Sequence, residues 1–274
     1  LGYEDATQVW NNIILETITI QNTLVIVSCR EYDWANTREL EPLRKKQKPK
    51  KILLRQWGID SVREALTENN LSCPDEDVLE LLRNPFLLDL YVEIADELSD
   101  IENVSFQTEA DLYNRYWNLR VSAERPQAKK EHMIRAVHWL AEQAEKEQTQ
   151  RVDRDAFFIE HSYGAEGLER NSVILSNRRG VVYFRHSLLL DYAIIRHKKW
   201  LSNPDKLANL LREIPYNPFL RSSVFMVVRF LIADDDWNLV QSLLSAATEN
   251  CSVGWIINLL DLLARSGWSM EMSE

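Results

Sequence analysis

Apolar residues recur every three or four positions along most of this chain, which is the spacing of one face of an α-helix. The segment from 129 to 147 is typical, with Met133, Val137, Leu140, Ala141 and Ala144 on one side. Four further segments of this kind follow residue 200, and their lengths suit stacked helical hairpins. The pattern therefore predicts a mainly α fold.

Near the start of the chain the spacing changes. The stretch "NTLVIVSCR" contains an uninterrupted apolar run at 24–27, which is typical of a strand buried on both faces of a parallel sheet. A basic segment, "LRKKQKPKK", is expected to be a loop that leads to a second strand, "KILLRQW". We interpret residues 1–57 as the last part of an α/β domain.

A second change of spacing comes at two short β-type runs, "SVILS" and "VVYFR", on either side of "NRRG". They predict a β-hairpin with a four-residue turn. Two short helices, "RVDRDAFFIEH" and "AEGLERN", are expected before it. Helices followed by a hairpin predict a winged helix-turn-helix over residues 127–200, and an α-helical region then covers 201–274.

Helix-start signals organise the stretch between these regions. Asn84-Pro85 starts a helix, because Asn caps well and Pro is preorganised for the first turn. Ser61 is expected to cap an earlier helix, and Thr108 with Asp111 comes close to a capping box. Because proline at 126 marks a boundary, we interpret residues 58–126 as a small helical domain.

Composition restricts the class of protein. The chain has 42 acids against 32 bases, a net charge of −10, which argues against a general nucleic-acid coat. Cys29, Cys73 and Cys251 are an odd number without a CxxC pair, so we expect reduced thiols, packed as small hydrophobes, in a cytoplasmic protein. We expect no membrane partner, because no apolar run has the length of a span. The first residue is Leu rather than Met, and we expect a fragment of a longer protein.

Several common chemistries have no counterpart in the sequence. It contains no P-loop, no GxSxG elbow, no HExxH and no GxGxxG. His132 and His138 are six residues apart on different helix faces, so they do not form a metal site with the cysteines. We expect neither a catalytic residue nor a bound metal in this chain by itself.

Three residues are candidates for ligand binding. Arg30 follows the first strand, at the end where α/β folds bind ligands, although a surface pair with a neighbouring acid explains it equally well. Pro85 needs no role beyond starting its helix. His186 is the most informative, because the polar pair Arg185-His186 between a strand and an apolar helix is costly unless something nearby needs it. The alternative is a core histidine that caps the next helix.

A basic group around the hairpin raises the question of DNA reading by the wing. Its members are Arg178, Arg179, Arg185, Arg196, Lys198 and Lys199. The negative net charge favours a solvated face that is balanced by acidic neighbours. We therefore expect no binding of nucleic acid.

Three segments follow one another in a distinctive order: a strand ending "VIVSCR", a helix start "LLRNPFLLDL", and a hairpin end "YFRHSLLLDYAII". This order resembles the STAND class of signal-transduction NTPases, in particular its NACHT-type members, over residues 1–200. The resemblance implies that Arg30 ends the sensor-one strand and faces the γ-phosphate. It further implies that Pro85 packs near the adenine and that His186 touches the β-phosphate of ADP. Asp191 stands where the family usually has an acid.

The family's P-loop and acidic Walker B strand are missing, which fits a chain that begins after Walker B. The resemblance implies that residues 1–57 are the tail of an α/β nucleotide-binding domain and that this chain is the regulatory lid of an ATPase switch. The parent protein would bind ATP or ADP with Mg²⁺ through an upstream nucleotide-binding domain, closed with ADP and open with ATP. An unknown protein trigger would favour the open form and its homo-oligomerisation. This fragment alone would hold no cofactor.

A different class of protein remains an alternative, namely an α-helical winged-helix scaffold that binds a protein partner or, less favoured, DNA. The switch interpretation makes a geometric prediction about the junction after the hairpin. His186 should point towards the nucleotide cleft, while Arg185, by the alternation of a strand, should point the other way and meet an acid or solvent.

Overall fold

The structure is a computed structural model of the 274-residue chain. It describes residues 12–25, 41–47, 50, 56–98, 108–123, 127–249 and 252–265. The chain divides into two compact units, Leu1–Arg55 and Gln56–Glu274. Helices dominate the described residues, so the prediction of a mainly α fold is confirmed.

In the first unit, residues 12–17 are helical and helix α1 spans Glu41–Gln47. The prediction of a basic loop is therefore wrong for residues 43–47, its first five positions. Its Leu, Arg, Lys and Gln residues are good helix formers, and Glu41 pairs with Lys45 one turn later at 2.5 Å. These local preferences outweigh the loop character that the run of basic residues indicated.

The two predicted strands of this unit fall largely outside the described residues. Residues 24 and 25 of the first strand are described and have no regular structure, and the same holds for 56 and 57 at the end of the second. Arg30 lies outside the described residues as well.

Four helices open the second unit: α2 (Ile59–Glu68), α3 (Glu76–Leu82), α4 (Pro85–Leu98) and α5 (Glu109–Arg120). The start of α4 is as predicted, since Oδ1 of Asn84 accepts a hydrogen bond from the N–H of Phe86 at 3.0 Å. Thr108 and Asp111 form a complete reciprocal capping box on α5. The cap predicted at Ser61 is wrong, because α2 begins one turn earlier, after an extended Gly58.

A long helix, α6 (Gln127–Glu147), packs against α7 (Arg154–Arg170). The residues predicted for the inner face of α6 are all buried; they are Met133, Val137, Leu140, Ala141 and Ala144. Two short helices were predicted where α7 runs, and the structure joins them across a kink at His161, whose φ is −133° and ψ is 32°. Gly164 permits the close approach, because a Cβ there would lie 2.4 Å from the carbonyl oxygen of His132.

Three short strands form an antiparallel sheet in the order β1-β3-β2: β1 (Val152–Asp153), β2 (Ile174–Ser176) and β3 (Val181–Phe184). The predicted hairpin is confirmed, with Ile174 opposite Phe184. Its turn uses Gly180 in the left-handed region, at φ 73°. The strand β1 was not predicted, because two residues carry no periodic signal.

Among the described residues, five helices follow the sheet: α8 (Ser187–Lys198), α9 (Asp205–Glu213), α10 (Arg221–Ala233), α11 (Trp237–Glu249) and α12 (Val253–Arg265). The last four match the helical segments predicted after residue 200. One continuous core runs from α2 to α12, with α8 at its centre between α6 and α10. Within the part of the chain that the structure describes, no helix combines the length and the apolarity that a membrane span requires.

Candidate functional site

Two of the three predicted ligand-binding residues lie close together in the second unit, although a hundred residues separate them in sequence. Pro85 is the exposed first residue of α4, and His186 directly precedes α8. The ring of Phe86, next to Pro85, meets the imidazole of His186 edge to face, with 4.5 Å between ring centroids. The third predicted residue, Arg30, lies outside the described residues.

The backbone at the junction determines where the imidazole goes. Regular pairing of β3 ends at Phe184, although the N–H of Arg185 still donates to the carbonyl oxygen of Val173 at 3.1 Å. His186 is extended and its carbonyl oxygen accepts from the N–H of Leu189 at 3.0 Å, but its side chain does not cap α8. The imidazole is thus directed away from its own helix.

An acid–base cluster, formed by Asp89, Glu93, Arg120, Arg185 and His186, occupies the space between α4 and this junction. The Nε2 of His186 lies 3.0 Å from Oδ2 of Asp89. The guanidinium of Arg185 donates to the same Oδ2 at 3.3 Å and to Oε2 of Glu93 at 3.0 Å. Because Asp89 and Glu93 are four residues apart on one helix, a single face of α4 binds both basic side chains.

The prediction that Arg185 and His186 point to opposite sides is therefore wrong, although Arg185 does pair with acids as expected. Alternation holds only within the regular pairing of a strand, which stops at Phe184. The chain turns immediately afterwards into α8. That turn brings both side chains to the same helix face.

Glu93 is the deeper of the two carboxylates. Its side chain is 14% exposed, compared with 44% for Asp89. Arg120 donates to the carbonyl oxygen of Glu93 at 2.6 Å, and its Nε lies 3.7 Å from Oε1 of the same residue. Burial raises the pKa of Glu93 above its ordinary value, while the nearby guanidinium groups of Arg185 and Arg120 oppose that shift.

Aromatic side chains of α4, α5 and α8 pack together next to the acid–base cluster. The ring of Tyr113 on α5 lies 6.0 Å from that of Phe86 and stacks on Tyr192 of α8 at 5.1 Å. The hydroxyl of Tyr192 donates to Oδ1 of Asn114 at 2.6 Å. These contacts tie the start of α4 to α5 and α8, so the positions of Phe86 and His186 are set by the core.

Asp191 does not belong to the cluster. It is buried on α8, and its Oδ1 accepts a hydrogen bond from Oγ of Ser223 on α10 at 2.8 Å. Since a buried carboxylate needs partners, this contact gives Asp191 a structural role in joining α8 to α10.

The basic residues around the hairpin do not form one surface. Arg178 and Arg179 are exposed in the hairpin turn. Arg196 instead donates to Oδ1 of Asn114 at 3.2 Å, and Lys198 pairs with Glu145 of α6 at 2.8 Å. Three of the six predicted basic residues, namely Arg185, Arg196 and Lys198, thus have separate local partners.

Sequence reasoning selected His186 as a candidate but missed Asp89, the acid that its imidazole contacts. The available signal was the spacing of Asp89 and Glu93, four residues apart on the helix that follows Pro85.

Among the described residues, no group of three or more His, Cys, Asp or Glu side chains could hold a metal ion. Cys73 is a free thiol as expected, but it is exposed and not packed, so that part of the prediction is wrong.

Comparisons of this chain with family models, with curated proteins and with solved structures found no match. The arrangement of the side chains is therefore the basis for a functional proposal.

Proposed function

We propose that this chain is the regulatory lid of a STAND/NACHT-like nucleotide switch, with a small helical domain, a winged helix and helical hairpins after the tail of a nucleotide-binding domain. The observation that carries the proposal is the contact between the segments of Pro85 and His186. Those two segments come from different parts of the sequence, and the resemblance independently implies that both face one nucleotide.

The residues around His186 fit a phosphate group if the carboxylate of Asp89 turns away from the imidazole. His186 and Arg185 offer donors of the kind that bind phosphate. Asp89 and Glu93 now accept those hydrogen bonds, and two carboxylates would repel a phosphate at the same place. Asp89 is 44% exposed and can turn into solvent, so His186 is the donor that can be released. The phosphates and Mg²⁺ would be held mainly by the upstream nucleotide-binding domain.

His186 would thus alternate between two anionic partners. Bound ADP supplies a phosphate charge that stabilises the closed form through His186. When the nucleotide leaves or the domains separate, Asp89 takes its place and prevents an unpaired donor. A charge-assisted hydrogen bond contributes on the order of 1.5–3 kcal/mol, enough to shift a closed–open balance by roughly tenfold to a hundredfold.

The test uses the full-length protein that contains this chain together with its nucleotide-binding domain. The ADP that remains bound after purification is measured for the wild type and for His186→Ala, alongside the thermal midpoint. We expect faster loss of ADP, more spontaneous oligomer and little change in the midpoint. His197→Ala is the matched control, because His197 lies on the same α8 and its ring contacts His138 instead. A lowered midpoint with unchanged ADP retention would make His186 structural.

The winged helix is proposed to act without DNA. After its kink, α7 exposes Tyr163, Glu166 and Arg170, a mixed surface that offers little attraction to phosphate. The chain should therefore show no salt-dependent binding to a random DNA duplex by fluorescence anisotropy. Micromolar binding with a steep salt dependence would contradict this expectation.

A second candidate is a scaffold that binds a protein partner. It is favoured by Ile159 and Tyr163, which lie four residues apart on either side of the kink in α7, with 83% and 74% of their surfaces exposed. The two candidates differ in what precedes this chain in its gene. A GxxxxGK[ST] motif followed by an apolar strand ending in acids supports the switch, and its absence supports the scaffold.

A further inference from the structure

The last described helix, α12, presents an apolar stripe to solvent. The stripe consists of Val253, Ile257, Leu260 and Ala264, of which the first three are 64%, 51% and 39% exposed. Within residues 253–264, these four residues are more exposed than the other eight. Their spacing of four, three and four residues follows the a and d positions of a coiled coil.

The neighbouring helix α11 shows what an ordinary solvent face looks like in this part of the protein. Its exposed residues are all polar; they are Asn238, Gln241, Ser245, Thr248 and Glu249. The exposed residues of α9 are polar or charged as well; they are Asp205, Lys206, Asn209, Arg212 and Glu213. The apolar stripe therefore distinguishes α12 from α9 and α11.

The opposite side of α12 already belongs to the core. Trp255, Leu259 and Leu263 are each at most 2% exposed. The ring of Trp255 meets Tyr216 edge to face at 5.0 Å. A helix that is apolar on both sides is normally covered on both sides, so the stripe requires a partner of its own.

We propose that the stripe pairs with the same stripe of a second copy of this chain, in an antiparallel two-fold arrangement. Reversing the direction of the second helix places Ile257 opposite Leu260 and Val253 opposite Ala264. Large residues then meet at the centre, and a larger residue meets a smaller one at each end. A two-fold contact is the commonest way in which identical chains associate, and it needs such a self-complementary surface.

Charge restricts where a second copy can bind. The chain carries a net charge of −10, so two copies repel each other in general. The four stripe residues carry no charge, which allows two copies to meet there without burying an unpaired carboxylate. A second copy brings a matching stripe by construction, whereas any other partner would have to provide one.

The dimer should be weak and dependent on concentration. The stripe extends over twelve residues, from Val253 to Ala264, which is roughly 16 Å along the helix axis, so two copies bury less than the roughly 1,200 Å² of a standard interface. We expect a dissociation constant between about 10 and 500 µM.

Sedimentation velocity of the 274-residue chain over about 5–500 µM provides the test. The wild type is expected to shift from monomer to dimer, and Ile257→Glu is expected to weaken association at least about tenfold by placing a charge in the seam. Gln241→Glu is the matched control, because it adds the same charge to the exposed polar face of α11. Because Ile257 is half exposed, the thermal midpoint of the Ile257→Glu variant should stay close to that of the wild type.

Mixing two variants tests the antiparallel geometry. Ile257→Glu and Leu260→Lys should each associate poorly alone, but an equimolar mixture should recover to within about threefold of the wild type. In the mixed dimer, one 257–260 contact becomes an ion pair and the other stays apolar. Failure of the mixture to recover, or a wild type that remains monomeric over the whole range, overturns the proposal. A dimer that Ile257→Glu leaves unchanged overturns it too.

Discussion

The imidazole of His186 lies 3.0 Å from the carboxylate of Asp89, a residue 97 positions earlier in the chain. This contact joins the junction after β3 to the second turn of α4. Arg185 adds two further hydrogen bonds to the same helix face. The polar pair that interrupts an otherwise apolar stretch is thus explained in the folded protein by two acids that it binds.

Asp89→Asn should slow the loss of ADP in the full-length protein, by about threefold to tenfold, because it removes the anion that competes for His186. The amide still accepts a hydrogen bond, so the fold should be retained. The measurement is the dissociation rate of a fluorescent ADP analogue. Glu64→Gln serves as the control, since it removes one exposed carboxylate from α2, outside the cluster. Faster dissociation in Asp89→Asn would mean that Asp89 supports the closed form instead.

Glu93→Gln should gain stability relative to the wild type as the pH rises. Burial holds the pKa of Glu93 above its ordinary value of 4.5, so the wild type loses stability when this carboxyl ionises on the way up through that raised pKa. Glutamine has the shape and the neutral charge of the protonated acid, and it does not ionise at any of these pH values. The free energy of unfolding, from urea titrations between about pH 4 and 8, measures the difference. If the stability of the variant relative to the wild type fell as the pH rises, the ion pairs of Glu93 with Arg185 and Arg120 would outweigh the effect of its burial.

His138→Gln should protect the protein against mild acid. Burial, followed by the neighbouring His197, lowers the pKa of His138 from 6.5 to about 4. Stability present above pH 6.5 is then lost as the pH falls through this window, because the unfolded chain takes up the proton first. The loss should be on the order of 1–2 kcal/mol smaller in the variant, allowing for solvent around a half-buried ring. Urea titrations at several pH values measure it, and identical pH profiles would contradict the assignment.

Gly164→Ala should destabilise the second unit by about 1–3 kcal/mol. A Cβ there would lie 2.4 Å from the carbonyl oxygen of His132 and 2.7 Å from Cβ of Ala136, so α6 and α7 must separate. Gly167→Ala is the matched comparison on the same helix, since the group it meets is the flexible side chain of Met133 at 2.9 Å. Thermal and urea unfolding should rank Gly164→Ala below Gly167→Ala and the wild type. Equal stabilities would mean that α6 and α7 can move apart without a loss of stability.

Local signals predicted much of the fold because helix formation depends mostly on residues within one or two turns. The capping residues Asn84 and Thr108 and the inner face of α6 are examples. The two short helices predicted before the hairpin also appear, as the segments of α7 on either side of the kink at His161. The strand that was missed, β1, exists only because β3 pairs with it.

The candidate site shows the same division. The sequence by itself determined that a polar pair, Arg185-His186, stands between a strand and an apolar helix, and that Asn84-Pro85 starts another helix. Only the tertiary structure decided that both basic side chains turn to Asp89 and Glu93, since strand alternation predicted opposite directions. The sequence likewise determined the apolar spacing of α12, but packing decided which of those residues remain exposed. Local preferences act over a few residues, whereas the partner of a side chain is set by how distant elements pack.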